Sequence, residues 1–356
     1  MPSFRWTVFG LASLYICLTA STPSPLMSRE ETTQYVQSKL ERNDKVLRLN
    51  EKPLGDEGAR TIAQLPSLIN VTTLVIYKGM VGDEGVRALA ASPYLRNLGA
   101  LHLENNDITD AGVKYLAASK NLSHLRTLNL YRNAVTDSGA MALADSPNLP
   151  NLEFLNLNYN QVGDEGAVRL IDSRKREKLG TLELSYNSLG EKGKNAWERF
   201  KLLQKFKGMN REGTLGQLEK SFIGDQGVYA LLELPHISEV RELSLSENNL
   251  TDEAIIALAQ SPKLSRLVAL SLAGNQITDR GAIALAQSRT LKNLKALDLN
   301  FNYIENAGAK ALAHSPTLAN LESLKLGQNR IGSEGTKALV ESKTLTKLAH
   351  PIFGFY

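Results

Sequence analysis

Cysteine is almost missing from this chain of 356 residues: the single one, Cys17, lies in an N-terminal apolar stretch. Everything after it is therefore without disulfides or thiolate metal ligands and must be held by packing alone. Also missing are a phosphate-binding loop, an H-E-x-x-H zinc signature, a G-x-S-x-G nucleophile turn and a Cys-x-x-Cys pair. Histidine is sparse. Of the five, His124, His236 and His314 fall in loops and His350 in the terminal segment, leaving His102 on a strand. These absences predict a protein that is not an enzyme and carries no cofactor. The net charge is only +4, and its surplus is local, because 12 Lys/Arg stand against 7 Asp/Glu between Asp172 and Lys220, which leaves the rest of the chain at −1. No basic stripe of the kind nucleic acid demands runs along the chain, which excludes that partner.

What is present is a period. Leu47, Leu74, Leu101, Leu128, Leu155 and Leu182 follow one another at 27-residue intervals; after one slip the phase resumes at Gly216, Leu243, Leu270, Leu297 and Leu324, giving eleven repeats. Such a chain is a solenoid, in which each repeat buries its apolar side only against its neighbours and function lies on a surface repeated along the length. Within a repeat, the L-x-x-L-x-L alternation predicts a short strand, and Asp-x-Gly-x-x-x-Leu-Ala, as at Asp110, Gly112, Leu116 and Ala117, predicts a helix. The aspartates at 56, 83, 110, 137, 164, 225, 252 and 279 read as N-caps of their own helices. Ser-Pro and Ser-Lys pairs such as Ser92-Pro93 and Ser119-Lys120 end them. Asn106, Asn133, Asn160, Asn187, Asn248, Asn275, Asn302 and Asn329 recur five residues after the strand leucine and predict an amide ladder; Lys52, Gly79 and Ser221 interrupt it. Parallel strands sit about 4.8 Å apart and packed helices about 8–10 Å, so the stack must curve with its sheet inside. The expectation is an α/β horseshoe with a concave parallel sheet of eleven strands, roughly 50 Å long, and convex helices.

Residues 1–27 form a signal-like leader, in which Arg5 precedes the apolar run Trp6–Ala20 and the polar exit STPSP. The run is shorter than the roughly 20 residues that span a bilayer. It predicts a secreted or cell-surface protein; the alternative is a cytoplasmic one that starts at Met27. Asn70, Asn121 and Asn249 head N-x-Ser/Thr sequons. Residues 28–43 read as an N-terminal cap helix opened by a Ser28/Glu31 capping box, 44–342 as the repeats, and 343–356, with Pro351, Ile352, Phe353, Phe355 and Tyr356, as a C-terminal cap. The slip between Leu182 and Gly216 is a spacing of 34, a seven-residue insertion around 191–215. There Ala196, Trp197, Phe200, Leu203 and Phe206 recur at helical spacing beside Lys194, Arg199, Lys201, Lys205 and Lys207, which predicts a lengthened convex helix with an aromatic inner side. A basic helix at 194–207 is the alternative, and with the leader it is the only route to a membrane surface.

The pattern L-x-x-L-x-L-x-x-N-x-I/L-x-D-x-G-x-x-x-L-A over residues 44 to about 350 resembles the ribonuclease-inhibitor type of leucine-rich repeat, also found in Ran GTPase-activating proteins and in bacterial repeat proteins. The chain departs from the inhibitor by its uniform 27-residue unit and its lack of cysteine. The resemblance implies a protein-binding scaffold and permits a regulator of a GTPase, for which Arg132 is the basic side chain in the central patch.

The repeating residues build the scaffold, so partner recognition must lie in those that do not repeat. The concave positions of repeats two to six carry Tyr77, Lys78, His102, Glu104, Asn105, Tyr131, Arg132, Phe154, Asn158, Tyr159, Glu183 and Tyr186, whereas repeats eight and nine carry Ser244, Ser246, Ser271, Ala273 and Gly274. Tyrosine and arginine dominate binding hot spots. The candidate partner-binding residues are Tyr77, Lys78, His102, Glu104, Tyr131, Arg132, Phe154, Tyr159 and Tyr186, with Phe301 and Tyr303 a smaller second spot. His102, Glu104 and Arg132 read as an ion-paired surface cluster rather than a general acid/base set. The expected function is non-enzymatic binding of a folded protein partner by a monomer; the alternatives are a GTPase regulator and a secreted effector or adhesin.

Overall fold

The computed structural model describes residues 25–173 and 177–349. The leader up to residue 24 and the aromatic tail from 350 onward, both given roles above, lie outside the described residues. Helix α1 (Arg29–Leu40) begins at Ser28, whose hydroxyl accepts from the Glu31 amide while the Glu31 carboxylate accepts from the Ser28 amide. Strand and helix then alternate: β1 (Val46–Arg48), α2 (Gly55–Ala63), β2 (Thr73–Val75), α3 (Asp83–Ala91), β3 (Ala100–His102), α4 (Asp110–Ala118), β4 (Thr127–Asn129), α5 (Asp137–Asp145), β5 (Phe154–Asn156), α6 (Asp164–Asp172), β6 (Thr181–Glu183) and α7 (Glu191–Arg211). After α8 (Gly224–Glu233) the alternation resumes with β7 (Glu242–Ser244), α9 (Asp252–Gln260), β8 (Ala269–Ser271), α10 (Asp279–Ala286), β9 (Ala296–Asp298), α11 (Asn306–Ala313), β10 (Ser323–Lys325) and α12 (Ser333–Val340).

The strands pair in parallel with the phase leucines in register, Leu101 opposite Leu128 and Leu128 opposite Leu155. Each is 1% exposed or less, and burying one such side chain stabilises by about 1.5–3 kcal/mol. The amide ladder is inter-repeat. Asn106 accepts from the Gly79 and Val81 amides of the preceding repeat, at 3.0 and 3.1 Å, and donates to the Ile76 carbonyl at 2.8 Å.

The aspartates do not cap their own helices. Asp83 is the first residue of α3, and its carboxylate reaches into the next repeat, where Oδ1 accepts from the Thr109 and Gly112 amides at 2.8 Å each and Oδ2 from the Thr109 hydroxyl at 2.6 Å. Asp56, Asp137, Asp164 and Asp279 make the same two amide contacts one repeat onward. The glycine of Asp-x-Gly follows from this cap, because a Cβ on Gly112 would stand 2.5 Å from Asp83 Oδ1. Where Ala254 replaces the glycine, Asp225 keeps only its contacts with Thr251.

The expected single sheet of eleven strands is two sheets: six strands, β1 to β6, and four, β7 to β10. The seventh repeat contributes no strand among the described residues, only an isolated bridge from Gln217 to Ser244. Three devices fail together at this junction. Gly216 stands where a leucine should fill the core, Ser221 where the ladder asparagine should reach back, and Glu191 where an aspartate should cap α8. The core divides accordingly, one cluster ending at Phe200 and the other starting at Phe206. Both residues lie on α7, which spans the junction and replaces sheet pairing by aromatic packing. Arg199 adds ion pairs to Asp172 at 3.6 Å and to Glu233 at 3.4 Å. The Trp197 indole donates to the Leu182 carbonyl at 2.7 Å, satisfying one backbone group on the open edge of β6.

Candidate functional site

One backbone feature recurs in all eleven repeats and fixes how the candidate residues are presented. Glu51, Lys78, Asn105, Arg132, Tyr159, Tyr186, Lys220, Glu247, Gly274, Phe301 and Gln328 all have φ between 52° and 68°. This left-handed turn follows the strand exit, and it holds the side chain on the rim of the sheet rather than on its concave face. Lys78, Arg132, Tyr159 and Tyr186 belong to this rim row. The other candidates belong to the alternating, outward-facing positions of the strands and their extensions: His102 and Phe154 on β3 and β5, and Tyr77, Glu104 and Tyr131, which in phase lie two residues beyond His102 and four beyond Phe154. No periodicity argument separates the two rows, since adjacent residues carry them.

The two rows meet at three tyrosines. The Tyr131 and Tyr159 ring centroids are 5.1 Å apart with their planes tilted by 60°, and Tyr159 and Tyr186 stack at 4.1 Å and 17°. Offset stacks of this kind are worth about 0.5–1.5 kcal/mol beyond the area they bury. Tyr159 is 41% and Tyr186 71% exposed. The hydrogen bond with the Tyr186 side chain, followed by desolvation, holds the Tyr159 phenol above its ordinary pKa. Arg132 lies one repeat before Tyr159 in the rim row and is exposed, with no ion pair among the described residues.

The remaining candidates form separate groups. His102 Nδ1 is 3.4 Å from Glu104 Oε1, which also accepts from the Asn129 amide at 2.7 Å, while Glu104 Oε2 is buried without a partner. Arg132 takes no part, so the expected three-member ion cluster is a pair braced by an asparagine. Lys78 pairs with Glu51 at 3.3 Å and lies over the Tyr77 ring; the Glu51 bond, then the Tyr77 phenol, raises its pKa. Phe154 is half-buried at the start of β5. In the second half, Phe301 is 59% and Tyr303 44% exposed, the latter with the Arg330 guanidinium 4.7 Å from its ring centroid. The sequence reading passed over Phe222, 75% exposed with φ 51°; its place two residues past the rim position of a repeat without a strand left no pattern to find it by. The small residues of the second sheet, among them Ser244, Ser271, Ala269 and Ala296, floor a trough of about 750 Å³.

On α7, Phe200 and Phe206 point into the cores, Lys201 is held by Glu198 at 2.7 Å and lies over Trp197, and Lys194, Lys205 and Lys207 are exposed. Among the described residues no helix is long and apolar enough to cross a membrane, and no group of His, Cys, Asp and Glu is arranged to hold a metal ion.

Seven stretches of the chain match the Leucine Rich repeat family, at residues 94–117, 121–144, 148–170, 238–259, 265–286, 290–313 and 317–340. The gap between 170 and 238 holds the sixth strand, α7 and the incomplete seventh repeat. No curated protein matches the chain. Among solved structures it is similar to a chain of the yeast Rad7 and Elc1 complex, 17% identical over 89% of this chain and 81% of that one with a TM-score of 0.37. It is also similar to internalin C2 of Listeria monocytogenes, 21% identical over 79% of this chain and 80% of that one with a TM-score of 0.24. The chain is a solenoid of leucine-rich repeats, a fold that generally serves as a protein–protein interaction module.

Proposed function

We propose that this chain of leucine-rich repeats is a non-enzymatic, monomeric binding module that takes a folded protein against its first six repeats, along the concave face and its rim. The observation that carries the reading is the row of half-buried Tyr131 and exposed Tyr159 and Tyr186. Rings stacked at 4.1 Å are already ordered, so a partner gains a large amphipathic surface with little rotamer entropy left to lose. Two of the three rings sit at φ 57°, where a bulky residue costs of order 1–3 kcal/mol. A structural role would be served at lower cost by Asn or Gly. Arg132, exposed and without an ion pair among the described residues, adds a cation for an acidic group of the partner. Each of the ten repeats that has a strand pairs it with a helix of eight or more residues, which supports the ribonuclease-inhibitor-like reading of the unit. The leader supports export, tested by sequencing the mature N-terminus, which is expected near Ser21.

The test is affinity capture with the wild type and a Tyr131→Ala/Tyr159→Ala/Tyr186→Ala variant whose circular dichroism matches it. The variant should lose the partner; identical catches would remove the tyrosine row from the binding face. Arg132 also supports a second reading, a regulator of a GTPase, since an exposed arginine can neutralise charge on a transferring phosphoryl group. No stimulation of multiple-turnover GTP hydrolysis by the wild type would dismiss it, and equal stimulation by wild type and Arg132→Ala would remove the arginine from the role.

A further inference from the structure

The tyrosine row ends at Tyr186, and the way it ends specifies what comes next. One face of the Tyr186 ring is covered by Tyr159 at 4.1 Å, yet the residue remains 71% exposed, so its other face is open. In an unbroken solenoid the following repeat would fill that space. Here the sheet stops at β6, and the equivalent rim residue, Lys220, is turned to Glu219 and Glu247, with Nζ 3.9 and 3.3 Å from their carboxylates. Three residues before Tyr186, on β6 itself, Glu183 points out of the concave face and is half-buried. Its carboxylate has no hydrogen-bond or ion-pair partner among the described residues, unlike Glu104 on the same face, which is held by His102 and Asn129. A flat aromatic face and an unpaired carboxylate therefore lie three residues apart on one chain segment, their backbones separated by at most about 10 Å.

Resting on the protein-binding reading above, we propose that this corner is the seat for one arginine of the partner, its guanidinium stacked on the outer face of Tyr186 and hydrogen-bonded to Glu183. The chemistry selects arginine among the groups that stack on tyrosine. An aromatic or prolyl side chain would cover the ring but desolvate the Glu183 carboxylate without compensating it. A lysine would pair with the carboxylate, but its compact ammonium has no plane to lay on the ring. The guanidinium does both, with a delocalised face for the π surface and donors in its plane for the carboxylate.

The full 39.0 kDa chain, with 13C-labelled tyrosine rings, tests this by NMR titration with Nα-acetyl-arginine amide, Nα-acetyl-lysine amide and Nα-acetyl-tryptophan amide. The arginine amide should shift the Tyr186 ring signals saturably and bind about tenfold more tightly than the lysine amide. Glu183→Gln, which removes the charge at a position without internal partners, should reduce arginine binding about tenfold and leave the weak tryptophan contact unchanged. The proposal is overturned if the tryptophan amide binds as tightly as the arginine amide, if Glu183→Gln leaves arginine binding intact, or if the Tyr186 signals do not move. The broader reading is separable. A partner lost by the triple tyrosine variant but fully retained by Glu183→Gln would leave the tyrosine row as the binding face and remove the arginine seat.

Discussion

Replacing Gly193 by alanine should change sign with its background. Gly193 is the third residue of α7, and its amide donates to Asp164 Oδ1 at 2.9 Å, the same oxygen that accepts from Gly190 at 2.8 Å. This is the last inter-repeat cap before the junction. An alanine Cβ there would stand 2.5 Å from that oxygen, with the flexible Leu189 tip next at 3.1 Å. The carboxylate must move, and it gives up most of two charge-assisted hydrogen bonds, each worth about 1.5–3 kcal/mol when well shielded and less here because Gly190 is exposed. Against this, Gly→Ala in a helix gains about 1 kcal/mol. The net expectation for Gly193→Ala is a destabilisation of about 1–2 kcal/mol. With Asp164→Ala already in place the carboxylate is gone and only the residue-164 Cα, 3.2 Å from the new methyl, and the Leu189 tip must give by a few tenths of an ångström, so the same methyl should stabilise by less than about 1 kcal/mol. Urea titrations followed by Trp197 fluorescence, with circular dichroism as a second probe, measure all four corners of the cycle. The local probe matters, because a repeat array with two cores need not unfold in one step. If Gly193→Ala costs the same with and without Asp164, the glycine does not answer to the cap and the account of Asp-x-Gly is wrong.

The cap also predicts a gain. Gly163 occupies the position held by Thr109 and Thr136 in neighbouring repeats, where the hydroxyl bonds to the preceding aspartate and caps its own helix; a threonine Cβ at 163 would stand 2.8 Å from Asp137 Oδ2, so once that carboxylate turns to accept from the hydroxyl, Gly163→Thr should raise the urea midpoint by an amount equivalent to at most about 0.5–1 kcal/mol. Across the junction, Phe206→Ala should cost about 3–5 kcal/mol, read in the unfolding of the second core. Arg199→Ala should cost under about 1 kcal/mol, because its partners Asp172 and Glu233 are largely exposed; a larger loss would mean the ion pairs, not the aromatics, join the halves. Tyr159 has a raised folded pKa, so its contribution to stability is full below the unfolded value of 10.0 and fades as pH rises through the folded one. Ultraviolet titration should show Tyr159 and Tyr229, the latter raised by burial, ionising late in the wild type, and Tyr186→Phe, which deletes the hydroxyl, should return Tyr159 alone towards the others.

How much of the site was legible follows from the same two rows. That tyrosines crowd repeats four to six can be counted along the chain, but that Tyr159 and Tyr186 face each other while Phe154 stands apart depends on a left-handed turn that no residue type announces. Asparagine and glycine, which favour positive φ, occupy only Asn105 and Gly274 of the eleven rim positions. The turn is imposed by the strand exit, since Glu51 adopts it although neither its own repeat nor the next carries the ladder asparagine. Glu183 gave no signal of its own, since an acid at a strand position is ordinary; its significance comes from lacking the neighbour that Glu104 has.

The sequence by itself determined the repeat, its strand-to-helix order, the leucine register and the asparagine ladder, because those depend on contacts recurring at one fixed separation and so appear as period. It also marked the seventh repeat as irregular. Only the tertiary structure decided that the irregularity divides the sheet and the core, that each aspartate serves the next helix instead of its own, and that α7 holds the halves together through Phe200 and Phe206. Those outcomes depend on distances between neighbouring repeats. A spacing along the chain fixes which residues are equivalent, but which of them touch is set by how one repeat packs on the next.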